Sequence, residues 1–218
     1  MSRTARAAAG GYCYHVLNRG NARATVFQKP DDYRGFLDMM AEATLRVPMR
    51  VVAYALMPNH FHLALWPHGD GDLSRWVHWL LSTHVRRYLW HYQRDGHVWQ
   101  GRFKAFPIQE DDHLLTVVRY IEGNPLRSGL VARAEHWPWS SLSRPDGPPA
   151  LDPGPVPRGA GWVDAVNAVM TESECAAVRE SLRRDRPLGT TTWTQRTAEV
   201  LGLESTLRNP GRPKLSPG

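Results

Sequence analysis

With 218 residues, the chain is long enough to bury one hydrophobic core and to carry an appendage. It has 27 basic and 21 acidic residues, a formal charge of +6, and arginine is far more frequent than lysine. No apolar run approaches the roughly 20 residues that span a bilayer, which excludes a transmembrane helix, and two distant cysteines, Cys13 and Cys175, exclude a disulfide framework.

The first elements predicted along the chain are an arm, a strand and a helix. Residues 1–11 contain arginines but no apolar segment of a secretion signal, so they are expected to form a loose arm. Residues 12–17 alternate in the manner of a strand, and a turn follows at residues 18–21. A helix is predicted at residues 30–46, because it opens with proline and two aspartates lie at its positive end.

Two further strands, at residues 49–57 and 60–66, are predicted to form an antiparallel hairpin around a Pro-Asn turn. The second strand carries His60 and His62. Alternate side chains of a strand leave on the same face, so these two imidazoles are expected to point together, and Phe61 is expected to point the other way. Two imidazoles side by side form half of a metal site or of a phosphate clamp.

Three more elements complete the first part of the chain. Residues 72–94 have the apolar stripe of a long helix, with arginines on its other face. Residues 98–108 are predicted to be a ribbon or an extended loop. A further helix starts at an aspartate cap and ends near Asn124, because Pro125 disfavours helical geometry in the residue before it. The order β-α-β-β-α-β-α predicts an α+β fold, with helices packed on one face of an antiparallel sheet.

The C-terminal third has a different composition. Residues 144–160 are rich in proline and glycine, which predicts a semi-rigid linker between a domain of residues 12–143 and an extension of residues 161–218. Short helices are predicted at residues 171–184 and 192–201. The last residues are basic and proline-rich, so the extension is expected to be small, basic and partly irregular.

The helix that ends near Asn124 places two chemically useful side chains on one face. Tyr120 and Asn124 are four residues apart, so they lie one above the other. A phenol can act as a nucleophile, and an amide oxygen can bind a hard divalent ion. If this face covers His60 and His62, a metal ion there would polarise a phosphodiester oxygen and let Tyr120 attack in line. Glu122 lies roughly opposite Tyr120 and is predicted to be solvated.

Each of these side chains also has a structural explanation. His60 and His62 could be ordinary histidines of a half-buried strand. Tyr120 could be a core tyrosine on an amphipathic helix. Asn124 could be a helix C-cap, a role that is compatible with metal binding.

Several motifs in order resemble a known family. His-Phe-His at residues 60–62 is the His-hydrophobic-His motif of single-tyrosine HUH endonucleases, and Tyr-Ile-Glu-Gly-Asn-Pro-Leu-Arg-Ser-Gly-Leu looks like the tyrosine helix of IS200-like transposases. The sequence most resembles the REP-associated tyrosine transposases, through Asn-Arg-Gly-Asn, Met-Pro-Asn-His-Phe-His, Val-Trp-Gln-Gly-Arg-Phe-Lys, Trp-Pro-Trp-Ser-Ser and a C-terminal Gly-Arg-Pro-Lys. The resemblance covers about residues 12–214.

This resemblance implies a ferredoxin-like catalytic core and a specific chemistry. His60 and His62 would bind a divalent metal, Mg²⁺ or Mn²⁺, with Asn124 as the third ligand, and Tyr120 would be the catalytic nucleophile. The substrate would be single-stranded DNA cleaved beside an imperfect palindromic hairpin, with a 5′-phosphotyrosine intermediate. Relatives from insertion sequences often carry glutamine at the position of Asn124, so this chain departs from the family at its third ligand.

Basic and aromatic side chains are the candidates for DNA binding. Nine tryptophans and seven tyrosines among many arginines suit single-stranded nucleic acid, although a GC-rich genome and a tryptophan-rich core would give the same composition. The resemblance implies that Asn18, Arg19 and Asn21 recognise the bases of a guide sequence. The other candidates, for which a solvated helix face or a packed strand is the alternative, are Arg86, Arg87, Trp99, Arg102, Phe103, Lys104 and, in the tail, Arg208, Arg212 and Lys214.

The leading functional hypothesis is therefore a metal-dependent DNA strand transferase. The alternatives are a non-catalytic DNA- or RNA-binding regulator and a metallohydrolase that uses the histidine pair to activate water. The expected location is the cytoplasm, with the nucleoid, and the expected state is a monomer or a homodimer.

Overall fold

The computed structural model describes residues 8–208. Four strands form one antiparallel sheet in the order β2-β3-β1-β4. The strands are β1 (Cys13–Arg19), β2 (Met49–Met57), β3 (His60–Pro67) and β4 (Lys104–Ile108). The α-helices are α1 (Pro30–Arg46), α2 (Asp72–Tyr92), α3 (Asp112–Glu122), α4 (Asn124–Arg127), α5 (Trp162–Asn167), α6 (Glu172–Arg184) and α7 (Thr191–Leu201).

The strand order and the two crossover helices form a ferredoxin-like core. Strand β1 lies in the middle of the sheet and pairs antiparallel with both β3 and β4. Strands β2 and β3 form the hairpin, with Met57 opposite His60 at its tight turn. The predicted α+β, ferredoxin-like fold is confirmed.

Helices cover both faces of this sheet, whereas the sequence predicted one covered face. Helices α1 and α2 pack on the face that carries Phe61, Leu63 and Leu65. Helix α3 packs on the opposite face, against the small side chains of Ala55 and Ala64. Small residues let the helix approach the strands closely, so the side chains of α3 come near to the histidines of β3.

Local signals explain where the main helices begin. Pro30 is the first residue of α1, where its missing N–H costs no hydrogen bond. The carboxylate of Asp32 accepts hydrogen bonds from the backbone N–H groups of Gln28 (2.7 Å) and Lys29 (3.1 Å). Asp111 caps α3, since its side chain accepts from the backbone N–H of His113 at 2.9 Å.

The proline-rich segment lies along the sheet. The backbone N–H of Asp152 donates to the carbonyl of Val51 at 2.8 Å, and the guanidinium of Arg158 donates to the carbonyl of Val52. At the other edge, the N–H of Leu188 donates to the carbonyl of Pro107 at 2.9 Å. Both edge strands thus pair with later parts of the chain; the boundaries of 144–160 and 161–218 as a linker and an extension stay predictions.

None of the helices in the described part of the chain has the length and apolar character that a membrane crossing requires.

Candidate functional site

The two histidines of β3 stand on the sheet face that α3 covers. Their ring centroids are 5.0 Å apart, and Phe61 between them points into the opposite core, as strand alternation requires. His62 is buried, with 3% of its surface exposed, and His60 is half-buried at the mouth of a cavity. Nδ1 of His60 is 2.6 Å from the side-chain oxygen of Asn59, which leaves Nε2 for a ligand.

Burial keeps both imidazoles uncharged at neutral pH. It lowers the pKa of His60 to about 4, with a smaller contribution from the positive charge of Arg19. It also lowers the pKa of His62 well below its usual value, and the neighbouring His15 adds to this effect. A neutral imidazole offers a nitrogen lone pair, which is the form that binds a metal ion.

A third histidine, His15, completes this row of rings, and the sequence did not single it out. It lies on β1 opposite Ala64 of β3, and its Nε2 is 2.8 Å from Nδ1 of His62. Burial lowers the pKa of His15 to about 3. Its position follows from the pairing of β1 with β3, and no motif in the sequence predicts that pairing.

Tyr120 lies over the histidines. Its ring centroid is 5.8 Å from that of His62 and 6.2 Å from that of His15, with the rings near perpendicular. Val117 and Ile121 of α3 are fully buried and fix the rotation of the helix on the sheet. The structure therefore brings Tyr120 and the histidine pair together, as the helical face predicted.

Asn124 lies one helical turn further on and lines the same cavity. Helix α3 ends at Glu122 with Gly123 as its C-cap, and Asn124 is the first residue of α4. The C-cap alternative for Asn124 is therefore wrong. Its side-chain oxygen accepts a hydrogen bond from the hydroxyl of Ser128 at 3.3 Å and keeps a second lone pair.

A cavity of about 810 Å³ surrounds these groups, and the charged side chains that line it are cationic. Among residues 8–208, no aspartate or glutamate lines it. Its cationic side chains are Arg19, Arg102, Lys104, Arg127, Arg179 and Arg183. Such a cavity attracts a polyanion.

Three of these cations were missed by the sequence analysis. The guanidinium of Arg127 lies 4.2 Å from the centroid of the Tyr120 ring and donates to the Tyr120 carbonyl. Arg179 and Arg183 come from α6 in the C-terminal extension. Their spacing of four residues puts them on one helical face, a signal that the sequence contained.

The predicted DNA-binding residues fall into three groups. Arg19, Arg102 and Lys104 line the cavity, as does Asn18, whose side chain donates to the Gly101 carbonyl at 3.2 Å. Arg86 lines a second groove with Arg102. Outside both cavities, Arg87 faces Glu42 at 3.9 Å, and Asn21 and Arg208 are exposed, whereas Arg212 and Lys214 lie beyond the described residues.

Trp99 and Phe103, for which a base-stacking role was predicted, are only 6% exposed and belong to the core, although both also line the second groove, so the stacking role stays a prediction. Trp99 packs against Phe61 at 5.3 Å and His84 at 5.1 Å between ring centroids. The alternative, a strand with one packed face, agrees with their packing, but both residues precede β4, which begins at Lys104.

The prediction that Glu122 is solvated is also wrong. Its side chain is 1% exposed and accepts hydrogen bonds from the Ser141 hydroxyl at 2.6 Å and the Trp162 indole at 2.7 Å, with Arg158 at 3.6 Å. Burial raises the pKa of this carboxyl, and Arg158 partly opposes the shift. The back of α3 faces later parts of the chain, and its amphipathic pattern gave no sign of this.

The donor set of His60, His62 and Asn124 fits a divalent cation whose remaining ligands would come from a substrate or from water. Within residues 8–208, no group of three or more histidine, cysteine, aspartate or glutamate side chains could hold a metal ion. Two neutral imidazoles and one amide oxygen provide three neutral donors, so the remaining positions would be filled by phosphate oxygens or water.

The chain is similar to several known proteins. The family model described as "Transposase IS200 like" matches residues 9–124. A REP-associated tyrosine transposase of Escherichia coli strain K12 is 27% identical over 142 residues, which are 62% of this chain and 78% of that protein. A putative REP-associated tyrosine transposase of Haemophilus influenzae is 30% identical over 145 residues, 62% of this chain and 81% of that protein.

A solved structure has the same fold. It is a REP-associated tyrosine transposase bound to a REP hairpin, 22% identical, with a TM-score of 0.53, and it covers 78% of this chain and 100% of the other. The match to the family model extends over more than half of the chain and includes β1, the histidine strand and the tyrosine helix. The chain therefore belongs to the IS200-like transposase family.

Proposed function

We propose that this protein is a divalent-metal-dependent single-stranded DNA endonuclease and strand transferase that acts beside hairpin-forming repeats. The observation that carries the proposal is the placement of Tyr120. Its ring is 5.8 Å from that of His62, and both line a cavity to which the described residues contribute cationic side chains and no carboxylate. A DNA backbone bound in this cavity would bring a phosphodiester to the phenol.

The reaction would be a transesterification. The Tyr120 oxygen attacks the phosphorus as its proton is released, and the bond from phosphorus to the 3′ oxygen breaks. The products are a 5′-phosphotyrosine and a free 3′-hydroxyl. Because one phosphodiester replaces another, a second 3′-hydroxyl can reverse the step and join new ends.

His60, His62 and Asn124 would hold the cation, Mg²⁺ or Mn²⁺. When bound, the cation would withdraw charge from a non-bridging phosphate oxygen. Arg127 holds the Tyr120 ring from the other side, and the arginines of α6 supply further positive charge at the wall of the cavity. These protein groups orient the phosphate for in-line attack.

The path of the DNA would continue into the second groove. In the part of the chain that the structure describes, this groove is lined by Arg75, Arg86 and Arg102 and by no acidic residue, and it meets the cavity at Gly101 and Arg102. Two basic depressions that share a rim suit a strand that passes from one to the other. The solved relative bound to a REP hairpin supports hairpin DNA as the partner.

The other hypotheses fit the site less well. A non-catalytic regulator would need the basic surface but not a tyrosine packed on a histidine pair. A hydrolase that activates water needs a general base, and no aspartate or glutamate lines the cavity in the described part of the chain.

The deciding experiment uses the wild type and Tyr120→Phe with a single-stranded hairpin oligonucleotide and Mg²⁺ or Mn²⁺. The wild type should form a protein–DNA band that survives denaturation, and Tyr120→Phe should form none while still binding the DNA. Absence of the band in the wild type with either metal contradicts the proposal. Cleavage by Tyr120→Phe would show that another group is the nucleophile.

A further inference from the structure

His15 lies beside His62 and, unlike His62, is not among the residues that line the cavity. It has no exposed surface, and its ring packs edge-on against Phe106 at 5.2 Å and Tyr120 at 6.2 Å between centroids. Its one hydrogen-bond partner is Nδ1 of His62, at 2.8 Å from Nε2 of His15. The other nitrogen of His15, Nδ1, has no hydrogen-bond partner among the described residues. A buried polar ring whose single partner is a candidate ligand suggests a function at that ligand.

The 2.8 Å contact between two neutral imidazoles contains one proton, and its position decides what His62 can do. If His15 carries it on Nε2, then His62 accepts it on Nδ1 and must hold its own proton on Nε2. That nitrogen then has no lone pair for a cation. If His62 carries the proton on Nδ1, its Nε2 lone pair is free to bind.

The charges of the cavity favour the second arrangement. Nδ1 of His62 is occupied by His15, so Nε2 is the nitrogen left for the cavity that His62 lines. The same cavity is lined by Arg19 and Arg127 and, within residues 8–208, by no carboxylate. A lone pair directed towards positive charge is more stable than an N–H bond directed towards it.

We infer that His15 is a positioning residue that accepts the Nδ1 proton of His62 and thereby keeps the His62 Nε2 lone pair directed at the bound cation. This inference rests on the proposed function for the cation itself. It assigns to His15 the part that a carboxylate or a backbone carbonyl plays behind other metal-binding histidines, with loss of the partner weakening metal binding about 10- to 100-fold.

The first test determines which ring nitrogens of His62 and His15 carry a proton. Long-range ¹⁵N–¹H correlation spectra of the metal-free wild type should show His62 with its proton on Nδ1 and His15 with its proton also on Nδ1. A proton on Nε2 of His62 overturns the inference, whatever the protein does with metal or DNA.

The second test measures the affinity for Mn²⁺ alone, by electron paramagnetic resonance, in two variants of His15. His15→Leu fills a similar volume without an acceptor and should weaken Mn²⁺ binding about 10- to 100-fold. His15→Gln places an amide oxygen near the position of Nε2 and should restore affinity to within about fivefold of the wild type. His84→Gln is the matched control, because His84 is also buried with an unpartnered Nδ1 but lies in the other core, against Phe36 and Trp99.

The outcomes distinguish the inferred role of His15 from the proposed binding of a cation. A folded His15→Leu variant that binds Mn²⁺ as the wild type does overturns the inference, and so does an equal loss in His15→Leu and His84→Gln, which would indicate a structural effect. If His15→Leu does not fold, the spectrum of the wild type and the His15→Gln variant still decide. Failure of the wild type to bind Mn²⁺ contradicts the proposed cation, while the spectrum tests His15 independently.

Discussion

Arg127 contacts Tyr120, the proposed nucleophile, both at its ring and at its backbone carbonyl. Its guanidinium lies over the Tyr120 ring, 4.2 Å from the centroid, and donates to the Tyr120 carbonyl. Burial lowers the pKa of Arg127, and Tyr120 partly opposes this shift. A planar cation on an aromatic face restricts the ring to one orientation. The phenol is therefore held in place before the DNA arrives.

We expect Arg127→Ala to reduce the rate of covalent adduct formation about 100-fold, because a misplaced nucleophile loses in-line geometry. Arg127→Lys should recover part of the rate, since it keeps the charge without the planar stack. Single-turnover rates at saturating hairpin DNA measure this effect. Arg34→Ala, a change at an exposed arginine of α1, is the control. A wild-type rate in Arg127→Ala would show that the stack has no part in catalysis.

At the scale of single residues, the sequence predicted which side chains share a face when those side chains belong to the same strand or the same helix. The common face of His60 and His62 follows from the period of one strand, and the common face of Tyr120 and Asn124 follows from one helix. His15 could not be predicted, because its contact with His62 depends on which strands pair. Glu122 could not be predicted either, since a helical pattern gives the direction of a side chain but not what covers it.

Helix α6 contributes to a cavity that is otherwise built by residues before 144. The side chains of Arg179 and Arg183 are more than half exposed, and each also faces a glutamate of α6, Glu172 at 3.4 Å and Glu180 at 2.7 Å. A phosphate that binds here would have to compete with these exposed ion pairs, which are weak in water. The sequence predicted a helix at 171–184 but placed the DNA-binding side chains of the extension in the tail. Their role depends on the packing of α6 beside α3, which only the tertiary structure gives.

Replacing both arginines of α6 by alanine should weaken hairpin binding and flatten its dependence on salt. Each lost phosphate contact to a single strand lowers the slope of log affinity against log salt by about 0.7, so the pair should lower it by roughly 1.4. Fluorescence anisotropy over a salt series measures the slope. Arg196→Ala, at an exposed position of α7, should leave it unchanged. An unchanged slope in the double variant would exclude α6 from the interface.

Glu122 joins α3 to the segments behind it. Glu122→Gln should lower the free energy of unfolding by about 1–3 kcal/mol, because the amide NH₂ would face a donor, either the Trp162 indole or the Ser141 hydroxyl. Urea denaturation at neutral pH measures this loss, and Glu199→Gln on the exposed face of α7 is the control. Equal stability of the two variants would show that these hydrogen bonds contribute little.

For the whole molecule, buried neutral histidines predict sensitivity to acid. Burial lowers the pKa of His84 to about 4, with Asp32 opposing the shift, and His60 is lowered similarly. Unfolded histidine binds a proton near pH 6.5, so the unfolded state takes up protons first as the pH falls. The stabilisation from these groups is complete above pH 6.5 and is lost between pH 6.5 and about 4.

The free energy of unfolding should therefore fall by about 1.4 kcal/mol per pH unit for each such histidine across this window. His84→Gln, which removes one of them away from the DNA cavity, should show a correspondingly shallower slope in urea titrations at several pH values. Identical slopes in variant and wild type would mean that His84 is protonated in the folded protein.

The α+β order of elements was predictable because each crossover helix and the hairpin have local signals, whereas the ferredoxin-like core was expected from the family resemblance. The packing of residues 144–160 was not, because proline and glycine composition describes the stiffness of a segment but not its partner. In the structure its backbone pairs with Val51 at the sheet edge, an interaction about 100 residues away in sequence.

Tyr120 packs on histidines of its own chain, and this arrangement has a genetic consequence. A protein whose tyrosine came from a second copy could regain activity when two differently damaged copies are mixed. Here each copy carries both halves of its site, so Tyr120→Phe and His62→Ala protomers should not complement each other, in a mixture or when expressed together. Formation of the covalent adduct by such a mixture would show that α3 is exchanged between copies when DNA is bound.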